Sequence, residues 1–147
     1  MNPALFNPTA PYSHVSNRLA IGGFMRGVFP LQHRFHEVLN VAWEHERAIR
    51  EKHGLVHHVG FDDTYDIERW LPKIEQAVEL VVRWRAEGKT VLVLCSQGRN
   101  RSGVVAAEAL IRSGLRAELV VQTIKERRVD ALTNRVFVAW LLRRRGF

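Results

Sequence analysis

The chain contains one cysteine, Cys95, and an arginine, Arg101, follows it six positions later. A cysteine thiolate is a strong nucleophile, and a guanidinium can bind two oxygens of a phosphate at once. The residues between them form the segment Ser96-Gln97-Gly98-Arg99-Asn100. Its glycine permits the unusual backbone angles that a tight loop needs. Together with the strand and the helix on either side, this spacing predicts a loop that binds a phosphate and attacks it through sulfur.

The elements on either side would position this loop. Residues 90–94 are apolar and β-branched, which predicts a central strand that ends immediately before Cys95. The apolar pattern of residues 102–112 predicts a helix that starts directly after Arg101. Backbone N–H groups of a loop that leads into a helix N-terminus can converge on one anion. The same positive field would favour a thiolate at Cys95. No G-x-x-x-x-G-K-[ST] or G-x-G-x-x-G sequence offers a different phosphate loop.

Other strands and helices alternate along the chain. We predict strands at residues 18–21, 38–42 and 55–61, and helices at 67–86, 116–128 and 133–145. Asp66 and Thr133 are the predicted N-caps of two of these helices. The pattern indicates an α/β fold, a single three-layer domain with a central, mostly parallel, twisted sheet of four to five strands flanked by helices. Residues 1–14 are predicted to be an extended N-terminal lead-in, and residues 15–147 one catalytic domain.

The segment from Cys95 to Gly103, CSQGRNRSG, resembles the C-x5-R loop of protein tyrosine and dual-specificity phosphatases, in particular small atypical bacterial or phage members. The likeness extends to residues 17–22, to the VLNVA strand at 37–42 and to the N-x-x-F helix at 134–141. It covers most of residues 15–142. It implies the fold of that family and a cysteine-dependent phosphatase.

The resemblance also implies roles for individual residues. Cys95 would be the nucleophile that forms a phosphocysteine, and Arg101 would stabilise the transition state. Ser102 would assist departure of the thiolate in the second step. The family's general acid is an aspartate on a loop after the third strand; Asp63 matches it best, and Asp62 is the alternative. Phosphate binding would fall to Ser96, Gln97, Gly98, Arg99, Asn100 and Arg101.

Three residues bear on how the family pattern applies. The family usually has a histidine before the cysteine, where this chain has Leu94. Arg99 resembles the basic loops of relatives that act on phosphoinositides, and Asn100 resembles the RNA 5′-triphosphatase branch and some bacterial and phage phosphatases. The resemblance as a whole implies hydrolysis of phosphotyrosine, and of phosphoserine or phosphothreonine, on proteins. The three residues suggest the alternatives: a phosphate-binding pseudophosphatase from Leu94, a phosphoinositide phosphatase from Arg99 and an RNA 5′-phosphatase from Asn100.

The net charge of the chain indicates which kind of binding partner to expect. The net charge of +7 favours an anionic partner, which we expect to be a phosphorylated protein or another phosphate substrate, with nucleic acid only as a substrate.

The seven histidines are scattered, so with one cysteine we expect no metal site and no cofactor. A single cysteine cannot form an internal disulfide, and the first residues lack the pattern of a signal peptide. No apolar run is long enough to span a membrane. We expect a cytoplasmic protein.

Overall fold

Five strands form one sheet in the computed structural model, which describes residues 10–26 and 34–143. They are β1 (Tyr12–Ser16), β2 (Leu19–Gly23), β3 (Glu37–Ala42), β4 (His57–Phe61) and β5 (Val91–Cys95). Their order across the sheet is β1-β2-β5-β3-β4. The edge strand β1 is antiparallel to β2, and the remaining pairs are parallel. The mostly parallel sheet predicted from the sequence is therefore confirmed.

The described helices cover both faces of the sheet; two of them connect strands and three follow the last strand. They are α1 (Glu46–Lys52), α2 (Ile67–Ala86), α3 (Arg101–Arg112), α4 (Ala117–Arg127) and α5 (Arg135–Arg143). The larger core lies between one face of the sheet and helices α2 to α5. On the opposite face α1 lies beside β4, where Glu46 and Arg50 are close to His58. The α/β three-layer arrangement follows.

The alternation of side chains along β5 decides which way the cysteine faces. Val91, Val93 and Cys95 belong to the core under the helices, whereas Leu92 and Leu94 belong to a smaller cluster on the other face. Successive side chains of a strand point to opposite faces. Cys95 therefore faces α3, and Leu94 faces away from it.

Several local predictions need correction. Thr133 does not cap α5; the Oδ1 atom of Asn134 does, because it accepts hydrogen bonds from the backbone N–H groups of Val136 and Phe137. Asp66 precedes α2 but makes no side-chain capping bond. The pair Gly22–Gly23, whose residue type predicts a turn after the strand at 18–21, instead completes β2.

Two elements have no counterpart in the sequence predictions, namely β1 and α1. β1 begins at Tyr12 and so takes in the last residues of the predicted lead-in, whose residues 1–9 lie outside the described part of the chain. In the regions that the structure describes, no helix combines the length and the apolar character needed to cross a membrane.

Candidate active site

Cys95 is the last residue of β5, and its side chain is almost completely buried, with 3% of its surface exposed. Its Sγ atom lies 3.2 Å from the Oγ atom of Ser102, in the first turn of α3. The intervening residues 96–100 form a loop, which we call the phosphate loop, between the strand and the helix. The strand, loop and helix predicted around the cysteine are thus all present, and Ser102 lies where the sequence placed it.

Every carbonyl of the phosphate loop accepts a hydrogen bond from the protein. The acceptor and donor pairs are Ser96 O with Met25 N (3.0 Å), Gln97 O with Arg128 Nη2 (3.0 Å), Gly98 O with Arg128 Nε (2.6 Å), Arg99 O with Leu132 N (3.3 Å) and Asn100 O with Val104 N (2.8 Å). In a planar trans peptide the N–H points opposite to the C=O. The N–H groups of residues 97–101 therefore point away from the donors that bind these carbonyls, and none of them donates to a described residue.

Arg128 holds the loop from behind. Its side chain is 4% exposed, and besides the two loop carbonyls it donates to Ser13 Oγ at 3.0 Å and to Ala10 O at 3.0 Å. Burial lowers the pKa of Arg128, and the arginines at positions 26 and 99 act in the same direction, while Cys95 opposes them. An arginine still remains charged at neutral pH. A buried cation therefore lies under the phosphate loop.

Two glycines let the loop lie directly against the end of β2. Gly98 has φ of +73°, and a Cβ atom there would lie 2.5 Å from the backbone carbon of Gly22. A Cβ atom on Gly23 would lie 2.6 Å from the carbonyl carbon of Gln97. Side chains at either position would force the loop outward, so glycine is needed at both.

Arg101 is fixed by a residue that the sequence analysis did not identify, Glu44. The Nη1 atom donates to Glu44 Oε1 at 2.7 Å and to Phe61 O at 3.2 Å, and Nη2 donates to Glu44 Oε2 at 2.6 Å. These bonds use three of the five N–H groups of the guanidinium. The remaining two, on Nε and Nη2, share one edge of the planar group. That edge can bind two phosphate oxygens.

The charges of this pair reinforce each other. Burial alone would lower the pKa of Arg101, but the Glu44 carboxylate, with Cys95 and Asp63, outweighs it and raises that pKa. The hydrogen bonds from Arg101 in turn lower the pKa of Glu44. Both partners are therefore charged at neutral pH, and the guanidinium keeps one orientation.

The two candidate acids face different surroundings. Asp63 lines the cleft above Cys95, and its Oδ2 and Oδ1 atoms accept hydrogen bonds from Asn100 at 3.0 Å and Asn134 at 2.7 Å. Asp62 instead accepts a hydrogen bond from the indole N–H of Trp43, whose side chain is largely exposed. Of the two, Asp63 is the carboxylate that shares the cleft with the cysteine.

The cleft has a volume of about 280 Å³. Its described lining consists of Glu44, Asp63, Cys95, Ser96, Gln97, Arg99, Asn100, Arg101 and Thr133. Arg99 lies at the edge, paired with Asp130 at 3.8 Å. Ser96 Oγ lies 3.1 Å from His45 Nε2. All predicted loop residues except Gly98, which packs against Gly22, thus line the cleft together with Asp63. Arg127, next to Arg128, lies exposed on the surface.

Sequence reasoning missed Glu44 and did not assign Arg128 a role. Glu44 is 57 residues from Arg101 and belongs to no motif that the sequence analysis recognised. Arg127 is exposed and Arg128 is buried, so the residue type alone does not show which of the two arginines lies inside the protein. The spacing of apolar residues in α4 was the available signal. Position 128 lies four residues after the fully buried Ile124 and therefore on the same, buried face of the helix.

The Glu44–Arg101 pair generates a prediction about pH. Glu44→Gln should lower the free energy of unfolding by about 2 kcal/mol at neutral pH, the usual range for hydrogen bonds between charged groups. Because the pKa of Glu44 is lowered from 4.5 in the folded state, this contribution is complete above pH 4.5 and decreases as the pH falls below it. Urea unfolding at several pH values measures the difference. Glu51→Gln, in an exposed pair with Arg47, is the matched control and should cost less than about 0.5 kcal/mol. A difference that does not change with pH would contradict the assignment.

The role of Arg128 can be tested against its neighbour. Arg128→Met would leave loop carbonyls buried without a donor and should destabilise the protein by about 3 kcal/mol or more, since each such acceptor costs about 1–3 kcal/mol. Arg127→Met removes the same charge from an exposed position and should be nearly neutral. Urea unfolding of both variants is the measurement. Equal losses would show that charge alone matters.

The chain is similar to known proteins over most of its length. The family model for the dual specificity phosphatase catalytic domain matches residues 28–145. The crystal structure of human DUSP28 is similar, with a TM-score of 0.74, 24% identity, and 90% of each chain covered. A mouse putative dual specificity phosphatase complexed with zinc tungstate has a TM-score of 0.70 and 26% identity, over 92% of this chain and 85% of that one.

A third structure is human tyrosine phosphatase-like serine/threonine/tyrosine-interacting protein, with a TM-score of 0.68 and 18% identity, over 88% of this chain and 92% of that one. No curated protein matches the sequence. The solved structures share the fold, and the family model covers most of the chain. The chain therefore belongs to the dual-specificity phosphatase family.

Proposed function

We propose that the protein hydrolyses phosphate monoesters through a phosphocysteine intermediate on Cys95. The observation that carries the proposal is the arrangement of the phosphate loop: all five of its carbonyls accept hydrogen bonds from the protein, so the N–H groups of residues 97–101 point the other way and are left for an anion. A phosphate dianion in this position would receive backbone hydrogen bonds on several oxygens.

In the first step the Cys95 thiolate attacks phosphorus in line with the leaving oxygen, so that an S–P bond forms as the P–O bond breaks. The free edge of Arg101, Nε and Nη2, binds two of the equatorial oxygens, where negative charge is spread in the transition state. Asp63 donates its proton to the leaving oxygen, which departs as an alcohol or phenol.

In the second step water replaces the sulfur. Asp63, now a carboxylate, takes a proton from the attacking water. The S–P bond breaks and the thiolate is regenerated. Ser102 Oγ, 3.2 Å from the sulfur, donates a hydrogen bond to the departing thiolate and so stabilises it. Inorganic phosphate then leaves the loop.

The proposed substrates are phosphotyrosine and also phosphoserine or phosphothreonine on proteins. The described lining of the cleft is polar and contains no aromatic side chain that would stack on a tyrosine ring. Nothing in that lining therefore selects aryl over alkyl phosphates. The positive net charge of the chain suits a phosphorylated, acidic partner.

The mechanism predicts metal-independent turnover that requires the sulfur. Purified protein should release phosphate from an aryl phosphate in EDTA, and Cys95→Ser should reduce the rate by at least about 10⁴-fold because a serine hydroxyl is not ionised at neutral pH. Activity that survives in Cys95→Ser would rule the mechanism out.

The same assay addresses the substrate. Phosphotyrosine and phosphoserine peptides, a phosphoinositide and a 5′-triphosphate RNA are compared, with binding measured by calorimetry. Turnover confined to the lipid or the RNA would replace the protein substrate. Binding of the phosphopeptides without turnover would indicate a pseudophosphatase.

The acid assignment predicts a dependence on the leaving group. Asp63→Asn should lower kcat/KM by about 10²-fold or more for an alkyl phosphate, whose leaving oxygen needs a proton, and much less for p-nitrophenyl phosphate. Asp62→Asn is the matched control and should change neither substrate by more than about threefold. The opposite pattern would transfer the role to Asp62.

A further inference from the structure

Asn134 uses both ends of one amide. Its Oδ1 atom accepts from the backbone N–H groups of Val136 at 3.0 Å and Phe137 at 3.1 Å, which caps α5. Its Nδ2 atom donates to Asp63 Oδ1 at 2.7 Å and to Thr64 O at 2.9 Å. The side chain is buried, and it is not part of the described cleft lining.

The orientation of this amide is determined by chemistry. Backbone N–H groups can only donate, so the atom that faces Val136 and Phe137 must be the oxygen. The NH₂ group must then face Asp63 and Thr64, whose oxygens accept. A reversed amide would oppose donors to donors on one side and acceptors to acceptors on the other.

Asn100 completes the arrangement from the phosphate loop. Its Oδ1 atom accepts from the backbone N–H of Asn134 at 2.9 Å, which fixes its orientation by the same reasoning. Its Nδ2 atom donates to Asp63 Oδ2 at 3.0 Å. Each carboxylate oxygen of Asp63 therefore receives one amide N–H, one from the phosphate loop and one from the start of α5.

We propose that Asn134 is a positioning residue for the general acid: through its Nδ2 atom it holds Oδ1 of Asp63, and with Asn100 it aims Oδ2 at the leaving group. The inference rests on the proposed role of Asp63 as the acid. Asn100 lines the cleft and Asn134 does not, so Oδ2 is the oxygen on the cleft side. Oδ2 therefore carries the proton that is transferred, whereas Oδ1 is held in place by the hydrogen bond from Asn134.

The physical gain is orientation. Asp63 lies on a loop between β4 and α2, and an unrestrained carboxyl would sample several rotamers. Small displacements of a catalytic group cost rate steeply, about 10²-fold for 1 Å. Asn134, which caps α5, and Asn100, which belongs to the phosphate loop, both donate to the carboxylate of Asp63. The acid, the loop and the helix are therefore held in one relative arrangement.

The experiment separates the two ends of the amide. Asn134→Ser keeps an oxygen that can cap α5 but removes the amide NH₂ group that donates to Asp63. Asn134→Asp also keeps the cap and places a second carboxylate against Asp63. We measure kcat/KM for a series of aryl and alkyl phosphates, which reports the step in which the leaving group departs, and Tm for each variant. Gln122→Ser, which removes an exposed amide from a carboxylate on α4, is the matched control.

We expect Asn134→Ser to lower kcat/KM about tenfold for poor leaving groups and less than twofold for p-nitrophenyl phosphate, with Asn134→Asp lower still. In an Asp63→Asn background, Asn134→Ser should cause no further loss. An equal loss for all leaving groups, no loss at all, or a further loss without Asp63 would overturn the inference.

The outcome also distinguishes this inference from the proposed function. If Asp63→Asn shows a leaving-group-dependent loss and Asn134→Ser does not, only the positioning role is wrong. If Asp63→Asn itself shows none, the acid assignment fails and the positioning role fails with it. Unchanged Tm in Asn134→Ser with the expected rate pattern excludes a merely structural effect of the lost cap.

Discussion

The phosphate loop depends on where its carbonyl groups go. A loop that directs five N–H groups inward must direct its carbonyls outward, and buried carbonyls need donors. Two of those donors are nitrogens of one guanidinium, that of Arg128, and the others are backbone N–H groups from the turn after β2, from the segment before α5 and from α3 itself. Elements far apart in sequence thus meet behind the loop, and the proposed anion site depends on their contacts.

Much of this arrangement could be predicted from the sequence because the information is local. The apolar run of β5, the glycine in the loop and the periodicity of α3 all lie within residues 90–112. The strand β1 gave a weak signal because YSHVS mixes polar and apolar residues, as an edge strand can. α1 gave none, since Ile49 is its one buried residue and cannot produce a periodic pattern.

What escaped prediction was set by contacts between distant segments. Glu44 carries no local sign that it will meet Arg101, and Asn134 and Thr133 are both acceptable caps by residue type. The choice between those two caps depends on Asn100, since Thr133 Oγ1 lies 3.2 Å from its Nδ2 atom while the backbone N–H of Asn134 reaches its Oδ1 atom. Only the fold brings residue 100 beside the start of α5.

The departure at Leu94 has a geometric meaning. The family's usual histidine occupies a position that, by the alternation of β5, faces away from the cleft and into the small cluster with Ala20, Val38 and Leu92. A leucine there joins apolar neighbours and leaves no buried polar group unsatisfied. Leu94 therefore lies on the face opposite to Cys95, whose sulfur contacts Ser102 in α3.

Arginine at three positions shows why residue type alone could not assign function. At 101 one edge of the guanidinium is occupied by Glu44, and the other is left for a ligand. At 128 the same group is buried and all its described partners are oxygens of the protein, so it supports the loop and does not reach the substrate. At 99 it pairs loosely with Asp130 at the rim of the cleft. A lysine could replace the charge at each site, but at 101 and 128 it lacks the planar fork that binds two acceptors in fixed directions. Geometry, more than the net charge of the chain, therefore determines which of these arginines can bind the phosphate of the proposed substrate.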